Sequence, residues 1–253
     1  MSSAPPALTA AGLTKDYRGH SALRGLDVVV EAGEVVGLLG PNGAGKSTTM
    51  KICAGVARPT SGRVRLAGID LTEDAIGARR LLGYVPDVGG LFPRLTGWEH
   101  LELGARLHGL GPDWVERAHE LLAELGLADA AGRRTTTYSH GMSRKLSLAV
   151  ASLHRPRLLL LDEPFDGIDP AGAVAVRRIV AEAVADGAGV LCSTHLLDAS
   201  ERISDRMIVI RGGVAIAQGD ADELRRQAGR PGPLEDAYLA LMEESGAPLG
   251  AAG

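Results

Sequence analysis

Cysteine is scarce. Cys53 and Cys192 are the only two in 253 residues, and they have no metal-ligand spacing. They are expected to be small buried hydrophobes in a reducing compartment, not a disulfide framework. No uninterrupted apolar run approaches the roughly 18 residues that span a bilayer. The opening MSSAPPALTAAGLTKDY lacks a positive segment followed by an apolar stretch, so no secretory signal is expected. An excess of positive charge is missing too: 27 Lys+Arg against 31 Asp+Glu give a formal net charge of −4. A nucleic-acid-binding domain would normally be strongly basic. No fixed-period repeat is present. What remains is a chain expected in the cytosol and free to sit against a membrane. Its length suits one large domain, or a core with an inserted subdomain. Hydrophobic residues at 45% and charged residues at 23% describe a globular chain, not a disordered one.

Short apolar runs recur between helical patterns. Residues 34–40, 82–85, 158–162, 189–194 and 207–210 read as buried strands by length and branched-residue content. Helical patterns follow several of them, at 46–56, 170–186 and 197–203. Strands alternating with helices predict a mainly parallel sheet covered on both faces. Between about 87 and 155 the strand signal disappears, and helices are expected at 98–108 and 114–125. This stretch reads as an all-helical insertion. A last helix, LEDAYLALMEE, precedes an Ala/Gly/Pro tail.

The run GPNGAGKST, residues 40–48, meets the phosphate-loop pattern G-x-x-x-x-G-K-[ST] between a predicted strand and a predicted helix. Gly43 and Gly45 let backbone N–H groups approach phosphate oxygens, and the following helix N-terminus favours negative charge. Lys46 offers a compact point charge for the β/γ-phosphates, and the Ser47 hydroxyl can bind Mg2+. The bland alternative is a glycine-rich turn capping a helix. In LLLLDEP, the strand carries Asp162 and Glu163 to its carboxyl end, where open α/β sheets bind ligands. Successive residues point to opposite faces. Asp162 therefore suits a Mg2+ partner and Glu163 a carboxylate beside an attacking water, against two solvated acids as the plain alternative. Ser139, in TTTYSHGMSRKL, is a good helix N-cap, and Leu146, Leu148, Ala149, Val150 and Leu153 make an apolar face after it.

With these motifs in place the chain resembles an ATP-binding cassette, the nucleotide-binding subunit of ABC transporters, from about residue 8 to 224. GPNGAGKST resembles the Walker A loop, contributing Gly40, Pro41, Asn42, Gly43, Ala44, Gly45, Lys46, Ser47 and Thr48. LLLLDEP resembles the Walker B strand. GIDP resembles the D-loop with Asp169 as its acid. His195, in STH, falls at the switch histidine, and Tyr17 falls where the family stacks an aromatic on adenine. YSHGM resembles the signature motif, which in this family closes on the γ-phosphate held by the opposite subunit. Ser139 and Gly141 are then anion ligands as well as a cap, because an N-cap and an anion site share one geometry.

The resemblance implies an α/β P-loop NTPase core with a mainly parallel sheet, N-terminal antiparallel β strands and an inserted all-helical subdomain. The implied division is 1–86 with 156–221 as nucleotide-binding core, 87–155 as helical subdomain and 222–253 as C-terminal helical tail. It implies ATP and Mg2+ as cofactors, ATP hydrolysis by Glu163, His195 and Lys46, and metal ligation by Ser47 and Asp162. Asp87 stands where the family has the Q-loop glutamine, between the metal and the membrane partner. It joins the metal candidates, although its short side chain favours a contact with the permease. PTSGRVRLAGIDL, the YS-x-GM signature and LEDAYLALM resemble cassettes of exporters for drugs, lipids, polysaccharides or sodium. The expected partners are an integral membrane permease and a second cassette copy, with no nucleic acid. The expected location is the cytoplasmic face of the cell membrane. Two other readings stay open: a regulatory cassette that binds ATP with little turnover, and a cytosolic ATPase for ribosome or DNA remodelling.

Tyr17 could instead cover a strand end, and His195 could merely cap. Arg133, Arg134, Arg144 and Lys145 read as a solvated helix face, and Trp98 with Trp114 as helical core. His140, replacing a signature glycine, requires a negative φ. Phe165 replaces a common threonine or serine.

Overall fold

The computed structural model describes residues 5–244. The Ala/Gly/Pro tail read from the sequence lies, from residue 245, outside the described residues. The chain begins with a hairpin of β1 (Leu8–Tyr17) and β2 (His20–Val30). β3 (Val35–Leu39) then leads into α1 (Lys46–Cys53). β4 (Ser61–Leu66) and β5 (Ile69–Asp70) return to the hairpin, completing an antiparallel sheet of order β2-β1-β4-β5. Next come α2 (Ala75–Arg80) and β6 (Leu82–Val85), then the helices α3 (Gly97–His108), α4 (Trp114–Glu124) and α5 (His140–Ser152). The α/β alternation resumes with β7 (Leu158–Asp162), α6 (Pro170–Ala185), β8 (Gly189–Thr194), α7 (Leu197–Ile203) and β9 (Arg206–Arg211). β10 (Val214–Gly219), α8 (Ala221–Gln227) and α9 (Leu234–Glu244) close the described chain.

The second sheet has the order β10-β9-β3-β8-β7-β6. All its pairings are parallel except β9 with β10. β3, β7 and β8 are buried at every residue, as strands covered on both faces must be. The four leucines of β7 show why. Leu158 and Leu160 enter the core shared with the antiparallel sheet and α1. Leu159 and Leu161 enter a second core under α3, α4, α5 and α6. Phe165 packs into that second core, and the Trp98 and Trp114 rings meet at 5.3 Å beside it. A third cluster gathers Met207, Val209, Leu224, Leu234 and Leu241. Cys53 and Cys192 are buried thiols, and burial pushes Cys53 up to about 12. They are chemically quiet.

The helices have local reasons to start where they do. Thr96 and Glu99 form a reciprocal capping box at α3, and Asp220 and Glu223 form another at α8. No helix among the described residues is long and apolar enough to cross a membrane.

Candidate functional site

β3 delivers the chain to Gly40 and α1 begins at Lys46, so the intervening loop must reverse direction over a few residues. Gly45 takes φ +112, and a Cβ there would stand 2.8 Å from the Ala22 carbonyl oxygen and 2.7 Å from Leu23. Only glycine fits. The loop wraps the Lys46 side chain, whose Nζ donates to the carbonyls of Gly40 at 2.6 Å and Pro41 at 3.4 Å. Burial lowers the Lys46 ammonium below its ordinary range, and the nearby charge of Glu163, then Asp162, works against that fall. A buried cation at the rim of a cavity is poised for an anion.

That cavity, of about 400 Å3, is lined by Pro41, Asn42, Gly43, Gly45, Lys46, Ser47 and Thr48 of the loop. Tyr17, His20 and Ala22 from the antiparallel sheet also line the cavity, with Asp87, Glu163, Asp166 and His195. Tyr17 is 44% exposed, and Lys15 Nζ lies 4.8 Å from its ring centroid. The structure thus gathers most of the expected nucleotide residues around one space. Gly40 and Ala44 support the loop from behind, both buried.

Asp162 ends β7 with its side chain wholly buried. Its Oδ1 accepts from Ser193 Oγ at 2.5 Å and from Ser47 Oγ at 3.3 Å, while Oδ2 has no hydrogen-bond partner. An orphaned carboxylate oxygen beside a serine hydroxyl fits a hard divalent cation such as Mg2+, which seeks oxygen donors. Glu163 points elsewhere. Its Oε2 lies 2.9 Å from His195 Nδ1, and its Oε1 lies 3.7 Å from Lys46 Nζ. Its backbone sits at φ +52, an uncommon left-handed conformation for a residue with a side chain.

Asp87 lines the cavity, but its carboxylate is engaged: Oδ1 accepts from Arg144 Nη2 at 3.1 Å. The same guanidinium donates to the backbone carbonyls of Asp87 at 3.0 Å and Asp162 at 2.8 Å. Arg144 is only 5% exposed, so the solvated helix face expected for it is corrected. It shares the inner stripe of α5 with Gly141 and Leu148, at spacings of three and four residues. That periodicity was the available signal, masked by the neighbouring basic residues.

Ser139, Gly141 and Asp169 do not line the cavity. Ser139 caps α5, its Oγ accepting from Met142 N at 3.2 Å, and Asp169 caps α6, its Oδ1 accepting from Gly172 N at 3.2 Å. Gly141 is pressed on the Gly167 carbonyl, which a Cβ would meet at 2.5 Å. His140 begins α5 without a positive φ, so its replacement of glycine costs no backbone strain.

Comparison with known proteins agrees with this arrangement. A family model described as ABC transporter matches residues 23–166. A daunorubicin/doxorubicin resistance ATP-binding protein of Streptomyces peucetius is 42% identical over 226 residues, covering 88% of this chain and 68% of its own. A solved ATP-binding subunit of an ABC transporter superposes with a TM-score of 0.88 at 36% identity, over 93% of this chain and 99% of that one. A dimeric bacterial ABC transporter cassette gives 0.79 at 25% identity, over 84% and 98%. Subunits of this family pair with a membrane permease and dimerise. The chain belongs to the ABC transporter family as an ATP-binding subunit, an ATPase that takes ATP with Mg2+.

Proposed function

We propose that this cassette powers an exporter, hydrolysing ATP between two copies of itself on the cytoplasmic face of the membrane, below a separate permease. The observation that carries the reading is a division of labour. The phosphate-side groups surround one cavity, whereas Ser139 and Gly141 lie outside it. A cap that does not line its own cavity suits a neighbour's. The drug-resistance relative supports the exporter branch, and the net charge of −4 supports the expectation of no nucleic-acid partner. The division into a core (1–86, 156–221), a helical subdomain (87–155) and a C-terminal tail (222–253) belongs to the same proposal.

In this reading Tyr17 stacks on adenine. The loop from Gly40 to Thr48 directs backbone N–H groups at the phosphates, and Lys46 balances charge on the β/γ oxygens. Ser47 and Asp162 would hold Mg2+, which when bound supplies positive charge against the terminal phosphates. Asp87, whose Oδ1 is engaged by Arg144, stays a candidate for the metal or for the permease. Glu163 orients water against the γ-phosphorus and receives its proton as the bond to ADP breaks, and His195 steadies the carboxylate. Ser139 and Gly141 of the second copy cap the γ-phosphate, and Asp169 lies at that junction.

Glu163→Gln removes the proton acceptor and leaves the phosphate cradle intact. Size-exclusion chromatography with Mg-ATP should show the variant as a dimer that retains ATP. Hydrolysis at the wild-type rate would remove Glu163 from its role.

A further inference from the structure

The peptide unit joining Asp162 to Glu163 is fixed at both ends. Its carbonyl oxygen accepts from Arg144 Nη1 at 2.8 Å. Its N–H donates to the Ser193 carbonyl at 3.0 Å and lies 3.2 Å from Ser193 Oγ. Immediately after it, Glu163 is held at φ +52, where a side chain crowds its own backbone. Such a conformation persists only when its surroundings over-determine it. The Ser193 anchor comes from the neighbouring strand β8. The Arg144 anchor comes from α5, a different layer of the molecule.

We propose that Arg144 is a positioning residue for hydrolysis. It clamps the Asp162 carbonyl so that Glu163 keeps its left-handed backbone and presents its carboxylate between Lys46 and His195. Asp87 aims the guanidinium. It offers both its carbonyl, at 3.0 Å, and its carboxylate, at 3.1 Å, to Nη2, leaving Nη1 for the Asp162 carbonyl at 2.8 Å and, more weakly, the Pro86 carbonyl at 3.5 Å. Asp166 adds negative charge 3.8 Å from Nη2, and His140 Nε2 lies 3.2 Å from it. The planar fork of an arginine can serve two segments at once, whereas an ammonium is a point donor. With the carbonyl released, the peptide can rotate, the backbone of Glu163 relaxes, and its carboxylate leaves the reacting position. The phosphate loop and the Asp162 carboxylate, held by Ser193 and Ser47, lie outside this peptide unit, so affinity and turnover should separate.

The inference rests on the reading of Glu163 as the water-orienting carboxylate, and its test uses the full chain. Arg144→Gln, Arg144→Lys and Asp87→Asn are compared with wild type and Glu163→Gln for ATP affinity, by fluorescent-analogue titration, and for kcat. Arg144→Gln should lose roughly 10- to 100-fold in kcat, the scale of a misplaced reacting group. Its ATP Kd should change by less than about threefold, because the phosphate cradle is untouched. Arg144→Lys should recover part of the loss, and Asp87→Asn should fall between Arg144→Lys and wild type. The double variant Arg144→Gln/Glu163→Gln should dimerise with Mg-ATP as the single Glu163→Gln variant does. Its failure to do so would show that Arg144 acts through the signature helix and would overturn the proposal. So would losses of affinity and kcat that track a lowered melting temperature. Wild-type kcat in Arg144→Gln beside an inactive Glu163→Gln sinks the positioning role alone. Wild-type kcat in Glu163→Gln removes both readings.

Discussion

Lys46 and Tyr17 line one cavity and should fail in different ways. The Lys46 ammonium is held by two loop carbonyls, and among the described residues no other lysine or arginine lines the cavity to replace its charge. Lys46→Ala should therefore abolish measurable ATP binding in a fluorescence titration. Tyr17→Ala should weaken it by about 1–3 kcal/mol, the worth of one stacked base. Equal affinity of wild type and Lys46→Ala would contradict the phosphate-loop assignment. Lys46 was legible in the sequence because phosphate chemistry fixes its spacing along a single loop, whereas Tyr17, at the end of β1, was legible only through the family resemblance. Arg144 was not, because its importance depends on Asp87, Asp162 and Asp166, which approach it only after folding. The demand was visible from the other side, however. An aspartate in place of a neutral glutamine needs a cation nearby, and the inner stripe of α5 supplies one.

At the scale of elements, the sequence placed β6, β7, β8 and α7 at their observed bounds, since each is a short apolar or amphipathic run between turns. α8 escaped notice even though Asp220 and Glu223 spell its capping box, because Leu224 is its one buried residue and a single apolar position makes no helical period. The seam between β6, α3 and α5 was equally invisible. There the His108 and His154 rings stack with centroids 3.6 Å apart. Burial, and then the charge of His108, push His154 down to about 4, while burial and Arg80 lower His108. An unfolded imidazole titrates near pH 6.5, so below that value the unfolded chain takes up the proton first. The stability from neutral His154 is present above about pH 6.5 and is lost as pH falls toward 4. It is worth at most about 3 kcal/mol. His154→Leu should flatten this part of the profile. Melting curves between pH 7 and 4.5 should show wild type losing more stability than the variant, and parallel profiles would discount the histidine.

At the scale of the whole molecule, the cap does not line the cavity that holds the cradle, which makes complementation possible. Ser139→Arg should leave the ATP affinity of its own subunit within about threefold of wild type, because the substitution lies outside the cavity. It should nevertheless abolish hydrolysis. Mixed with Glu163→Gln, itself expected to be inactive, it should recover part of the activity, since one site of the mixed dimer has an intact cradle and an intact cap. Loss of affinity on the scale of Lys46→Ala would refute the division. The cavity also spans a boundary within one subunit. Tyr17, His20 and Ala22 come from the antiparallel sheet, while the phosphate loop leaves the centre of the parallel one. ATP held in this cavity would be a rivet between two layers as well as a fuel. At 100 times its Kd a ligand adds about 2.7 kcal/mol to a fold by mass action, which for a chain of this size is a rise in melting temperature of roughly 5–10 °C. Amide exchange should slow along β1 and β2 as well as in the loop, so that loading the nucleotide stiffens the antiparallel sheet together with the cradle.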